Sequence, residues 1–217
     1  MGRPMKTLAI VQARMGATRF PNKVMLPING VPLIELLLHR LSLAKLIDHI
    51  LVATSTATGD KQLAAHVRRL GYEVFEGSEN NVLDRFYKAA QPHRPNTVVR
   101  ITGDCPLVDP EFVGAITAPF APCHVDYLCN RNPPTFPDGL DTEVFTYSSL
   151  EQAARDAKTS DELEYVTPYI RESGRFTAQN FANDSDCSHE RWKLDEPADL
   201  AVVNAVFRHF GPRINFG

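Results

Sequence analysis

Residues 7–25 read TLAIVQARMGATRFPNKVM. The first part is a short apolar run of β-forming residues. The second gathers three cations, Arg14, Arg19 and Lys23, around a glycine, a threonine and a proline. A strand that runs directly into a basic, glycine-containing loop suggests a sheet that receives an anion at the carboxyl ends of its strands. Gly16 offers close backbone approach or a positive φ, and the main-chain amides around it can form an anion nest. Guanidinium groups grip phosphate oxygens in pairs, whereas a lysine acts as a point charge. The competing reading is a solvated basic surface loop. Its place after the first strand favours the anion site.

Two familiar phosphate loops are ruled out. Neither G-x-x-x-x-G-K-[ST] nor G-x-G-x-x-G occurs. No G-x-S-x-G occurs either, so an α/β-hydrolase nucleophile is disfavoured. The seven histidines show no H-E-x-x-H spacing.

Working outward, HILVATS (49–55), YEVFEG (72–77) and TVVRITGD (97–104) read as further strands. Helical patterns lie between them at 31–44, 60–71, 80–90 and 109–120, the last opened by Asp109 and Pro110. Strand alternating with helix predicts a mostly parallel sheet covered on both faces. The segment 122–142 breaks the rhythm with Pro, Asn and Asp, and reads as an irregular insertion over the sheet edge. Short strands are expected at DYLCN and TEVFTY, helices at SSLEQAARDA and DELEYVTPYIRES, and a strand at FTAQNFA. A strand at WKL, a turn and a final helix close the chain. The 217 residues suit one domain, 1–217, with a full core. Residues 1–5 read as an added leader because a second methionine stands at Met5. The ending FGPRINFG suggests a domain cut from a longer polypeptide.

A net charge of −3 argues against a general nucleic-acid binder. No run reaches the length of a membrane span. Four cysteines without a C-x-x-C pair suggest a reduced, cytoplasmic protein rather than a disulfide scaffold or zinc ribbon.

Two aspartates follow apolar runs, Asp104 in RITGDCPLVDP and Asp195 in WKLDEPADL. Together they could hold Mg²⁺, an oxygen-seeking ion that takes one or two protein carboxylates plus phosphates. Separately, each could be an ordinary turn or capping residue. Thr54 and Ser55 in VATSTATGD could receive a nucleobase edge or simply form a turn. Asp138, Asp141 and Glu143 in PDGLDTEVF form an acidic cluster suited to hydroxyls or an amine of a second substrate, or a solvated loop.

The stretches IVQARMGATRFPNKVM, VATSTATGDKQLAAHVRRLG, FEGSENNVLDRFYKAA, VVRITGDCPLVDP, GLDTEVF, YVTPYI and LDEPADL, in this order, resemble the cytidylyltransferase-like proteins. The likeness runs from about residue 6 to 205, nearest to the spore coat polysaccharide biosynthesis protein F group. CMP-KDO and CMP-acylneuraminate synthetases are more distant relatives. The resemblance implies a three-layer α/β/α, Rossmann-like nucleotide-diphospho-sugar transferase fold with a mixed central sheet. It also implies a Mg²⁺-dependent attack of a sugar, sugar-acid, phosphate or phosphonate oxygen on the α-phosphorus of CTP, with pyrophosphate released, for surface polysaccharide or related biosynthesis. On that basis Arg14, Arg19 and Lys23 are the catalytic, triphosphate-binding cations, and Asp104 and Asp195 the metal ligands. Gln12, Ala13, Gly16, Thr18, Thr54, Ser55 and Asp84 fall to the nucleotide, and Asp138, Asp141, Glu143 and Tyr169 to the acceptor. A homodimer is implied, joined through 122–142 and the helices that follow. The family commonly carries E-H-V-T-P-Y where this chain has Tyr165 in place of histidine. A glycosyltransferase using a nucleotide-sugar, and a non-catalytic nucleotide-binding domain, are the alternatives. CTP turnover separates the first, and the five charged residues being in place disfavour the second.

Overall fold

The computed structural model describes residues 7–120, 124–211 and 213–216. The leader reading at 1–5, Cys123 and the first two residues of the 122–142 segment lie outside them.

Among the described residues nine strands form, in chain order: β1 Thr7–Gln12, β2 Pro27–Ile28, β3 Val31–Pro32, β4 His49–Ser55, β5 Glu73–Gly77, β6 Thr97–Thr102, β7 Tyr127–Cys129, β8 Thr142–Thr146 and β9 Ala178–Asn180. The helices are α1 Leu33–Leu41, α2 Asp60–Arg69, α3 Val82–Ala90, α4 Pro110–Thr117, α5 Tyr147–Asp156, α6 Ser160–Tyr165, α7 Pro168–Glu172 and α8 Asp199–Phe210. Seven strands make one sheet in the order β5-β4-β1-β6-β8-β7-β9. Only β8 runs against its neighbours, so the sheet is mixed.

The central strands are apolar on both faces because both are covered. Within β1, Ala9 and Val11 face α1, α2 and α4, whereas Leu8 and Ile10 face α3 and α5. A third apolar cluster joins the β2–β3 hairpin to α8 through Ile28, Leu33, Val203 and Phe207. The hairpin turns on Asn29 and Gly30, both at positive φ, the conformation a two-residue turn demands.

Three expectations need correction. The helix expected to start at residue 31 starts at Leu33, because Val31 and Pro32 pair with β2. The helix expected across DELEYVTPYIRES is two, broken where Val166 takes φ 72 and Pro168 opens the next turn. The strand expected at WKL does not form; the nearest pairing is an isolated bridge one residue earlier, between Arg191 and Asp138. The irregular segment contains β7, which is an interior strand between β8 and β9. Arg40 is the buried charged residue of α1, where Glu35 and His39 are less buried. It donates to the carbonyls of Val108, Ile214 and Phe216, fastening the C-terminal residues to the body.

The parallel strands β1, β4 and β6 all end on one edge. The loops after them, with the 3-10 turn Lys23–Met25, converge there.

Candidate functional site

A cleft of about 370 Å³ opens at this edge. Gln12, Ala13 and Arg14 enter from the end of β1, Gly103 and Asp104 from the end of β6, and Asp195 from the segment before α8. Ala17, Thr18, Arg19 and Lys23 of the basic loop close one side, and Glu164 and Tyr165 of α6 the other.

The loop is held from both ends. Asp60 accepts from the Met15 amide at 2.6 Å and from the amide and hydroxyl of Ser55, tying the loop to the end of β4. Asn22 adopts φ 61, which aims the chain into the 3-10 turn, and buried Val24 anchors that turn in the core. Lys23, only 7% exposed, is thereby directed inward. At Gly103 the ends of β1 and β6 are in close contact, its amide donating to the Gln12 carbonyl at 2.8 Å. A Cβ there would meet Ala13 Cβ at 2.8 Å and the Gln12 carbonyl at 2.9 Å.

Asp104 and Asp195 are brought together by the backbone. The Leu194 amide donates to the Asp104 carbonyl at 2.7 Å. Asp199, at the start of α8, accepts from the amides of Asp195 and Glu196 at 2.8 Å each, and forms a forked pair with Arg191. Burial opposes its ionisation, but the Arg191 fork and the two amides outweigh it and hold Asp199 near about 2.

Lys23 Nζ donates to Asp104 Oδ2 and to Asp195 Oδ1, both at 2.9 Å, and the Arg19 guanidinium pairs with the other Asp195 oxygen. Burial pulls the Lys23 ammonium down, but the two carboxylates more than compensate, so it stays charged beyond the ordinary lysine range. Burial likewise pushes Asp104 up, and Lys23 overrides it, leaving the carboxyl below its usual value. The cleft thus lies beside three cations, with the Asp104 and Asp195 side chains converging on Lys23.

A protein-family model described as cytidylyltransferase matches residues 8–191. The chain belongs to the cytidylyltransferase family. It is 33% identical, over 214 residues, to the spore coat polysaccharide biosynthesis protein SpsF of Bacillus subtilis, a match spanning 95% of this chain and 88% of that protein. A cytidylyltransferase structure from Leptospira borgpetersenii superposes with a TM-score of 0.92 at 29% identity, covering 98% of this chain and 90% of that one. The fold is also that of a CMP:2-keto-3-deoxy-manno-octonic acid synthetase solved with CTP, with a TM-score of 0.72 at 16% identity over 95% and 100% of the two chains.

In this cytidylyltransferase-family chain the expected residues divide into three groups. Gln12, Ala13, Arg14, Thr18, Arg19, Lys23, Asp104 and Asp195 all line the cleft. Thr54 and Ser55 are fully buried behind it, and Asp84 turns to Lys88 at 2.8 Å on the outside of α3. Gly16 shows neither property expected of it and does not line the cleft. It is not at positive φ, and a Cβ there would meet nothing within 4 Å. The proposed amide nest is also partly filled, since Met15 donates to Asp60 and Ala17 donates to the Met15 carbonyl.

Of the residues expected to bind an acceptor, Glu143 lines a second cavity of about 360 Å³ with Arg100, Arg131 and Arg171, and Tyr165 borders both cavities. Glu143 is buried but ionised below its usual range. Burial opposes this, and Arg100, Thr167 and Tyr127 prevail. The Tyr127 hydroxyl donates to it at 2.5 Å and the Thr167 hydroxyl at 2.6 Å. The same Arg100 donates to Gln12 Oε1 at 2.8 Å, which connects the two cavities. Asp141 pairs with Arg131 at 3.0 Å yet burial lifts it to about 6. Asp138 is held by Lys193 at 2.8 Å. Tyr169 sits in the core at 8% exposure, its ring edge-on to Phe176, and lines neither cavity.

The residues that sequence reasoning missed are mostly the ones that position others: Asp60, Asp199, Arg100 and Gly103. Asp60 and Asp199 look like ordinary first-turn acids. Arg100 is masked inside an apolar strand. Buried Arg85 donates to the Ser78 carbonyl at 2.9 Å, and burial together with nearby Arg14 lowers it to about 10.

Proposed function

We propose that this chain transfers CMP from CTP to a small anionic or sugar acceptor and releases pyrophosphate. The observation that carries this reading is Lys23, a buried ammonium shared between Asp104 and Asp195 at the rim of a basic cleft. The family membership and the CTP-bound synthetase of the same fold support it.

Phosphoryl-type transfer needs positioning and charge neutralisation more than covalent help. Arg14 and Arg19 would bind the triphosphate oxygens. Lys23 would swing from the carboxylates to the phosphates and offset charge growing on the departing pyrophosphate. The Asp104 and Asp195 oxygens that converge on Lys23 also fit an oxygen-seeking divalent ion, and these two residues would hold Mg²⁺. When bound, Mg²⁺ supplies neutralisation and alignment of phosphate oxygens. Gln12, whose Oε1 is taken by Arg100, would offer its amide NH₂ to the nucleotide. The second cavity, with Arg131, Arg171 and Glu143, would take the acceptor. An acceptor that is already ionised needs no general base, consistent with the lack of a free histidine among the described residues lining either cavity.

In the same reading the protein works in the cytoplasm as a homodimer joined through 122–142 and the following helices; light scattering that returns a monomer would remove the dimer. Among the described residues no helix is long and apolar enough to cross a membrane, and Cys105, Cys129 and Cys187 are free thiols. The test is ³¹P NMR of CTP, Mg²⁺ and the enzyme with KDO, sialic-type acids, sugar phosphates and 2-aminoethylphosphonate in turn. A new CMP conjugate with equimolar pyrophosphate supports the reading. Consumption of a nucleotide-sugar, with CTP untouched throughout, supports the glycosyltransferase alternative instead.

A further inference from the structure

At the opposite end of the sheet from the cleft, three ligand-type side chains meet. His49 opens β4, Glu73 opens the neighbouring edge strand β5, and His93 lies in the turn just after α3. His49 Nε2 is 2.7 Å from Glu73 Oε2, and His93 Nε2 is 3.1 Å from Glu73 Oε1. The two rings lie 5.2 Å apart, centroid to centroid, and tilt by 34°. All three sets of ligand atoms fall within 4.8 Å of one another. The site is reachable, because Glu73 is 41% exposed and His49 35%, whereas His93 at 17% is held more firmly.

We propose that His49, Glu73 and His93 form a second cation site, selective for a zinc-class transition metal. With both imidazoles in the Nδ1–H tautomer, two Nε2 lone pairs and a carboxylate, all within 4.8 Å of one another, are available to one ion. Two nitrogens and one oxygen suit zinc, which takes three protein ligands and leaves a fourth position for water. The same set suits Mg²⁺ poorly, since that ion prefers oxygen alone. The chain thus offers chemically different cation sites at the two ends of one sheet: oxygen-only at Asp104 and Asp195, nitrogen-rich here.

The location gives the ion a structural task. Among the described residues β5 is an edge strand, paired in the sheet with β4 alone. His93 belongs to the segment leaving α3, and Val82 at the other end of that helix lines the cleft. An ion bound by all three residues would clamp β4, β5 and the end of α3 together.

The test is calorimetric titration of zinc into the untagged, metal-stripped protein with excess Mg²⁺ present. One zinc per chain is expected, with a higher melting temperature. His93→Ala and Glu73→Gln should each weaken zinc binding by about tenfold or more, the scale that even outer-sphere changes around a metal reach. Asp104→Asn should leave zinc affinity unchanged. Co²⁺ added to the wild-type chain should give the visible absorption of a four-coordinate nitrogen–oxygen site. Absence of saturable zinc binding by the wild type overturns the proposal, whatever the variants do. Equal zinc affinity in wild type and correctly folded His93→Ala overturns it as well.

Discussion

Lys23 donates to both Asp104 and Asp195, at 2.9 Å each, although Asp195 lies 172 residues further along the chain. In the proposed reaction the lysine occupies the place a divalent cation would take, so binding of metal and triphosphate would require it to change partners, from carboxylates to phosphates. Lys23→Ala or Asp104→Ala should lower turnover by about two to three orders of magnitude, the scale of losing one preorganised charge-stabilising group. Steady-state rates under saturating CTP and acceptor check this, and activity within a few-fold of wild type in either variant would remove the assignment.

The same exchange has a consequence without substrate. In Lys23→Met the two carboxylates lose their shared counter-ion. The substrate-free variant should bind Mg²⁺ more tightly than wild type, as read by calorimetry. It should also be less stable in Mg²⁺-free buffer at neutral pH, by about 2 kcal/mol, because both Asp104 and Asp195 lose the buried hydrogen-bond donor they share. Equal Mg²⁺ affinity in both proteins would mean that lysine and metal do not compete.

Asp199 positions Asp195 and should impose a pH signature. It stays ionised in the native state down to about pH 2, whereas an unfolded aspartate takes up its proton near about 3.9. The unfolded state therefore binds more protons in that window. The stability Asp199 contributes, about 2 kcal/mol, is fully present above about pH 4 and is lost as the pH falls toward 2. Asp199→Asn should be less stable by a similar amount at pH 7 and show a flatter acid limb in urea melts between pH 4 and 2. An acid limb as steep as wild type would contradict the assignment.

Gly103→Ala should disturb the cleft by packing alone. The added carbon would lie 2.8 Å from Ala13 Cβ and 2.9 Å from the Gln12 carbonyl, so the ends of β1 and β6 must separate. Overpacking of this kind costs about 1–3 kcal/mol. A thermal melt indistinguishable from wild type would show that the strand ends can yield freely.

Tyr165 is 54% exposed and borders both cavities. Tyr165→Ala should raise KM for the acceptor about tenfold while changing KM for CTP far less. The reverse split would move the acceptor elsewhere.

Much of the fold was legible because the central strands are apolar on both faces and each is followed by a patterned helix. β1, β4, β5 and β6 and helices α1 to α4 fell close to their expected places. The β2–β3 hairpin was missed since its strands have two residues each, too few for periodicity, although Asn29-Gly30 marks its turn. The strand expected at WKL failed for a tertiary reason. Gly139 approaches so closely that a Cβ would lie 2.6 Å from the Lys193 amide nitrogen, and that backbone serves the loop around Asp138 instead of a ladder. In the site, charge type and position after a strand pointed to Arg14, Arg19, Lys23 and Asp104, whereas Asp195 was reached through a WKL strand that does not form. What could not be read was that the lysine lies between the aspartates, because that depends on the Leu194–Asp104 backbone contact and on Asp199. Tyr169 was drawn from a motif, and a motif does not say which of its side chains face the core.

The most direct test is pyrophosphate release with Mg²⁺ and each of the four nucleoside triphosphates, over the acceptor panel, for wild type and Lys23→Ala side by side. A cytidylyltransferase working through this cleft releases pyrophosphate with CTP and one acceptor class, and nearly all of that activity disappears in Lys23→Ala. Release that favours another nucleotide, or that survives in Lys23→Ala, would contradict it.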